Sequence, residues 1–308
     1  MKSMIELRDI RKRYGATVAV DGVSLEVQKG EIFGIVGPNG AGKTTLIEIL
    51  EGLRQADSGT AHLLGLDIAK QAAAIKQRIG VAFQATSVPP KARVGELVEL
   101  FASFYSTKTD PERALRFFGL EERRRASFKS LSGGWKQRVA LALAVVNDPE
   151  IVFLDEPSMG LDPTARGEMW QTIRRMRDEG RTIIVTTHYM EEAESLCDRV
   201  AVMRRGRIVA VDTPGALVAQ LGGIKRIGFA DPAVTSRDAL AALPHVALAE
   251  LERGSWSLHS SDMDQTLKAL FRLADQEGWT VSGLRLDEAS MNEVFRELTA
   301  EQMKEETQ

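Results

Sequence analysis

The sequence predicts an α/β fold organised on a parallel sheet, followed by a smaller α+β unit, and three observations carry that expectation. The apolar run Glu31-Ile32-Phe33-Gly34-Ile35-Val36 feeds a glycine-rich loop and then a helical pattern from Lys43 to Glu51, with Leu46, Ile49 and Leu50 facing inward. A second apolar run, Ile151-Val152-Phe153-Leu154, ends in the paired acids Asp155 and Glu156. Beyond Gly222-Gly223 the rhythm changes to short strands alternating with amphipathic helices.

The loop Gly37-Pro38-Asn39-Gly40-Ala41-Gly42-Lys43-Thr44 spells G-x-x-x-x-G-K-[ST] between a strand and a helix, the context the pattern needs. The core is therefore expected to be that of a P-loop NTPase. Its glycines let backbone N–H groups point at phosphates, with the positive end of a helix dipole behind them. Lys43 is expected to reach the β- and γ-phosphates and the Thr44 hydroxyl to bind Mg²⁺, with Thr45 beside it in the ATP site. Asp155 and Glu156 fall at the carboxyl end of a strand, where α/β sheets bind ligands. Asp155 is assigned to Mg²⁺ and Glu156 to the attacking water as general base. The competing structural readings are a chance glycine loop capping one helix and an acid pair capping another.

A second glycine motif, Leu131-Ser132-Gly133-Gly134, precedes a helical stretch bearing Val139, Leu141, Leu143 and Val145 among alanines. It is another helix N-terminus suited to phosphate. One nucleotide already has its P-loop, so the second motif points to a nucleotide held by a different molecule.

With these motifs in order, residues 1 to about 222 resemble the nucleotide-binding subunit of an ABC transporter. The resemblance implies a RecA-like core with antiparallel β and helical subdomains, the latter at about 86–145, and a head-to-tail dimer sandwiching each ATP between one copy's P-loop and the other's Ser132, Gly133 and Gly134. It further implies that Tyr14 stacks on adenine, that Gln84 senses Mg²⁺ and the membrane partner, that the loop ending at Asp162 crosses the dimer interface, and that His188 contacts the γ-phosphate. One departure stands out: the family's signature continues with glutamine, and here Trp135 follows Gly134. Trp135 is read either as buried at the interface between cassettes or as touching nucleotide.

The chain has 308 residues, long enough for an ATPase core and an appendage, with 44% hydrophobic and 27% charged residues, as in ordinary globular proteins. No apolar run approaches the roughly 20 residues of a bilayer span, so transport requires a separate membrane-spanning partner. The N-terminus lacks a signal-peptide core, and Cys197 is the only cysteine. Together these give the expectation of a cytoplasmic protein held at the inner face of the cell membrane by its permease. The four histidines are scattered, and the formal charge of −3 argues against nucleic acid as a partner. Arg123-Arg124-Arg125 reads as a solvated helix face.

Leu97, Leu100, Phe101 and Phe104 recur at helical spacing and are read mostly as core. The resemblance makes their helix and residues 85–95 the surface that receives the permease. In the accessory domain at 223–308, strands are expected over Ile224–Phe229, Val246–Leu251, Ser255–His259 and Trp279–Leu286, with helices over Ser236–Leu243, Met263–Ala274 and Met291–Leu298. That β-α-β-β-α-β order is that of a ferredoxin-like split unit. The closing Ser290-Met291-Asn292-Glu293-Val294-Phe295 and the run from Thr186 to Glu194 resemble the ATPases of daunorubicin-resistance type exporters and their multidrug or polysaccharide relatives, which implies an ABC-2 type permease. The alternatives are the ATPase of an importer, whose accessory domain is commonly a β-rich barrel, and a soluble ABC ATPase, which would carry two cassettes or a long coiled coil.

Overall fold

The computed structural model describes residues 3–82, 88–106, 109–220, 225–233, 235–252, 254–287 and 290–295. The chain forms two compact units, Met1–Pro214 and Gly215–Gln308.

The first unit opens with β1 (Ser3–Tyr14) and β2 (Thr17–Gln28), an antiparallel pair. After β3 (Ile32–Val36) and α1 (Lys43–Leu50) come β4 (Ser58–Leu63), β5 (Leu66–Asp67), α2 (Ile68–Lys76) and β6 (Ile79–Ala82). The helical stretch holds α3 (Val94–Ala102), α4 (Pro111–Phe117) and α5 (Gly133–Val145). The chain then returns through β7 (Ile151–Asp155), α6 (Pro163–Asp178), β8 (Thr182–Thr187), α7 (Met190–Leu196), β9 (Arg199–Arg204) and β10 (Arg207–Asp212).

Two sheets result. One is antiparallel in the order β2-β1-β4-β5; the other runs β10-β9-β3-β8-β7-β6, parallel except for its β10 edge. Every residue of β3 and β8 is buried, which is why β3 reads as a continuous apolar run and β8 as an apolar centre, Ile183-Ile184-Val185, flanked by buried threonines. One hydrophobic cluster joins the two sheets and α1 around Phe33, Phe153 and Leu46. Burying a phenylalanine fully stabilises by about 2–3 kcal/mol, so this cluster fixes where the P-loop strand ends.

Along α3 and the turn that follows it the apolar stripe divides. Leu97 is 1% exposed, but Leu100 is 47% and Phe104 63% exposed, so these two are surface residues and the core reading of the stripe fails there. Packing uses Val94, Leu97 and Val98 on one face, leaving the next face uncovered.

In the second unit, α8 (Pro214–Gln220), β11 (Lys225–Ala230), α9 (Arg237–Ala241), β12 (Val246–Glu252), β13 (Ser255–Ser260), α10 (Met263–Glu277) and β14 (Arg285–Asp287) build an antiparallel sheet in the order β12-β13-β11-β14. Residues 291–295 are helical. The strand expected from Trp279 to Leu286 shrinks to β14. Gly278 ends α10 at φ 74°, Gly283 takes φ 62°, and Trp279 stacks on Phe229 at 6.0 Å instead of joining the ladder. Ile224, Arg253 and residues 296–298 lie outside the described residues.

Candidate nucleotide site

Because β3, β8 and β7 are parallel neighbours, the segments after them emerge at one edge of the sheet. Register sets them level: Val36 pairs with Thr187, and Asp155 with Thr186. The P-loop, the two acids and His188 are thereby gathered at one place.

The loop from Gly37 to Gly42 turns tightly against the protein. A Cβ on Gly37 would sit 2.2 Å from the Met203 carbonyl oxygen, and one on Gly42 2.1 Å from that of Ala19; Gly42 also holds φ 102° as N-cap of α1. Lys43 is only 6% exposed, and its ammonium donates to the carbonyls of Gly37 at 2.8 Å and Pro38 at 3.1 Å. Burial pushes its pKa down, an effect partly offset by the charges of Glu156 and Asp155. An anion bound in the loop would supply the compensation this cation lacks. Pro38, Asn39, Gly40 and Thr44 are exposed, and Thr45 is half-buried.

Asp155 accepts a short hydrogen bond from the Thr186 hydroxyl. Glu156 takes φ 48°, unusual for a side-chain-bearing residue, and its N–H reaches the Thr186 carbonyl at 3.1 Å and hydroxyl at 3.2 Å. Its Oε1 lies 2.9 Å from Nδ1 of His188. An ionised carboxylate only accepts, so Nδ1 carries the proton when Glu156 is charged. Thr186 is the functional residue with no signal in the sequence: only the pairing of β7 with β8 brings it against both acids. Neither acid caps a helix. Asp162 does, its Oδ1 accepting from the Ala165 N–H at 2.9 Å at the start of α6.

Tyr14 ends β1 and is exposed. Arg54 lies 5.2 Å and Lys12 5.8 Å from its ring centre, and each cation is held by an acid, Arg54 by Glu48 and Lys12 by Asp57, both at 2.6 Å. Gln84 falls outside the described residues.

Ser132 and Gly133 are exposed at the start of α5, and the Ser132 hydroxyl makes no capping bond. With Gly134, Trp135, Arg138, Asp162 and Glu168 they border a cavity of about 480 Å³. The basic run is exposed, as expected of a solvated face, and it also makes contacts: Arg124 pairs with Glu99 at 2.6 Å and closely with Glu112, and Arg123 packs on Trp135.

The sequence profile of the family described as ABC transporter matches residues 20–159. The Nod factor export ATP-binding protein I of Burkholderia orbicola (strain AU 1054) is 42% identical over 245 residues, covering 77% of this chain and 80% of that protein. The protein of the same name from Ralstonia nicotianae (strain ATCC BAA-1114 / GMI1000) is 35% identical over 311 residues, 98% of this chain and 95% of the other. The chain belongs to the ABC transporter ATP-binding family. Among solved structures, an ATP-binding subunit of an ABC transporter superposes with a TM-score of 0.64 at 27% identity, covering 71% of this chain and 93% of that one. A dimeric cassette bound to ADP and phosphate gives 0.62 at 26% identity, covering 68% and 98%. Like other members, this ABC ATPase binds and hydrolyses ATP through a P-loop NTPase core. Among the described residues no helix is long and apolar enough to cross a membrane.

Proposed function

We propose that the chain is the motor subunit of an ABC exporter, working as a head-to-tail dimer bound to an ABC-2 type permease at the inner face of the membrane. The export direction is supported by the names of the relatives, Nod factor export ATP-binding proteins. The exposed Leu100 of α3 and Phe104 in the turn after it give the helical region an apolar face suited to a permease helix.

The open N-terminus of α5 carries the dimer reading. Ser132 and Gly133 present unused donors beside a cavity, while the chain's own phosphate loop lies at the end of β3. A second copy's ATP fits that need. Within one copy, Lys43 exchanges its two carbonyl partners for phosphate oxygens, and Tyr14 offers its ring to adenine.

The hydroxyl of Thr44 and the carboxylate of Asp155 are hard oxygen donors of the kind Mg²⁺ takes, and Thr186 fixes the Asp155 carboxylate. Among the described residues no cluster of three His, Cys, Asp or Glu could hold a metal alone, which suits an ion that brings water and nucleotide oxygens with it. Bound there, Mg²⁺ would neutralise charge on the phosphates. Glu156, braced by His188, orients water and takes its proton.

The test is Ser132→Arg in a Glu156→Gln background. ATP binding by the single subunit is expected to persist while ATP-driven dimers disappear; dimers forming as in the Glu156→Gln parent would refute the composite site.

A further inference from the structure

Trp135 stands where the family pattern has glutamine, yet its indole does not share the exposure of Ser132 and Gly133; it is half-buried. Two guanidinium groups pack on its ring, Arg123 at 4.1 Å and Arg138 at 4.9 Å from the ring centre. Arg123 closes the short 3₁₀ turn Glu121–Arg123, and its neighbour Arg124 is tied to Glu99 of α3 and Glu112 of α4. Arg138, one turn further along α5, donates to Glu168 of α6 at 2.8 Å. The indole is therefore where α5 meets both the helical stretch and the helix that Asp162 caps. A glutamine amide has no π face to hold two cations.

We infer that Trp135 is a positioning residue. It fastens the first turn of α5, and with it Ser132, Gly133 and Gly134, to α3, α4 and α6, so that the edge offered to a second copy's ATP is held in its binding geometry beforehand. The inference rests on the composite-site reading above. Pre-organisation lowers the ordering cost of closure, so its loss changes the ATP concentration at which dimers form and leaves ATP binding by one subunit alone.

The experiment titrates full-length Glu156→Gln protein with Mg-ATP, reads dimers by analytical ultracentrifugation, and measures single-subunit ATP affinity at protein concentrations too low for dimers. Adding Trp135→Gln is expected to raise the ATP needed for half-maximal dimer by about five-fold, the size of a lost cation–π contact, with single-subunit affinity unchanged. Trp135→Phe, which keeps a π face, restores most of the loss. Arg123→Ala, at an exposed position, shifts closure in the same direction, and its effect is smaller than additive with Trp135→Gln. Unchanged closure with Trp135→Gln overturns the inference. So does a parental Arg123→Ala beside a weakened Trp135→Gln, which would make Trp135 a direct contact. If Ser132→Arg closes like the parent, the composite site fails and this role with it; if Ser132→Arg blocks closure while Trp135→Gln is neutral, only the role of Trp135 falls. Should Trp135→Gln not fold, Arg123→Ala carries the test alone, and parental closure by it overturns the inference.

Discussion

The two glycine motifs of this chain are both helix N-termini, but they stand in opposite states. At the P-loop, Lys43 is buried and bonded to the carbonyls of Gly37 and Pro38, and acids, histidine and threonine on adjacent strands hold one another. At the start of α5, Ser132 and Gly133 face outward with the hydroxyl unused as a cap, and the support lies behind them, in Arg123, Trp135 and Arg138. One edge is finished within a single chain; the other is built to be completed. The same local geometry thus serves either a resident ligand or an incoming one, and what distinguishes them is how much of the donor set the chain satisfies itself.

Four experiments sharpen or break this contrast. The largest effect is expected for Glu156→Gln, which removes the proton-accepting carboxylate but keeps the shape: ATPase turnover should fall by about 100-fold or more while ATP binding persists. Near-normal turnover would take Glu156 out of that role. Lys43→Ala acts on the finished edge itself and should weaken ATP binding by about 1.5–3 kcal/mol, the worth of hydrogen bonds to a charged group, as read by nucleotide titration. Parental affinity would mean that the loop amides alone hold the phosphates.

Glu51, which caps α1 at the end opposite the P-loop, is 3% exposed. Burial, then the charges of Asp155 and Glu48, push its carboxyl up to about 8. A raised carboxyl pKa in the folded state stabilises below the unfolded value near 4.5, and that stability is lost as pH rises through 8. Glu51→Gln should therefore unfold like the parent near pH 4.5 and be more stable by up to about 4 kcal/mol above pH 8. A stability gap that does not grow between those pH values would show that the Glu51 carboxylate is solvated. The smallest effect is expected from truncation after Pro214, since every proposed nucleotide contact precedes it; a folded truncation that no longer binds ATP would place part of the finished edge in the tail.

Much of the finished edge was legible in the sequence, because its parts are contiguous. The spacing from Gly37 to Thr44, and the apolar run feeding Asp155 and Glu156, each carry strand, turn and ligand group in one segment. Thr186 was not legible, since its role exists only once β8 lies beside β7. The pairing of Arg123 with Trp135 was hidden likewise: the three arginines are exposed, as the sequence suggests, but only the placed fold shows that one of them packs on a ring. Leu100 and Phe104 share a stripe with Leu97, and periodicity cannot tell which side of a helix its neighbours will cover. In the tail, pattern suggested elements along the chain but not the order of strands in the sheet, and Trp279 lies outside its expected strand, where Gly278 and Gly283 on either side of it bend the chain.

The strand β8 lies between the strand that leads into the phosphate loop and the strand that presents the two acids. Phosphate grip and water orientation are thus measured from a shared ruler, and neither can move along the sheet without sliding against β8. A cavity-forming change at its centre, such as Val185→Ala, would keep the identity of every ligand-touching side chain and act on their relative spacing alone. An enzyme so altered would hold ATP and hydrolyse it out of step.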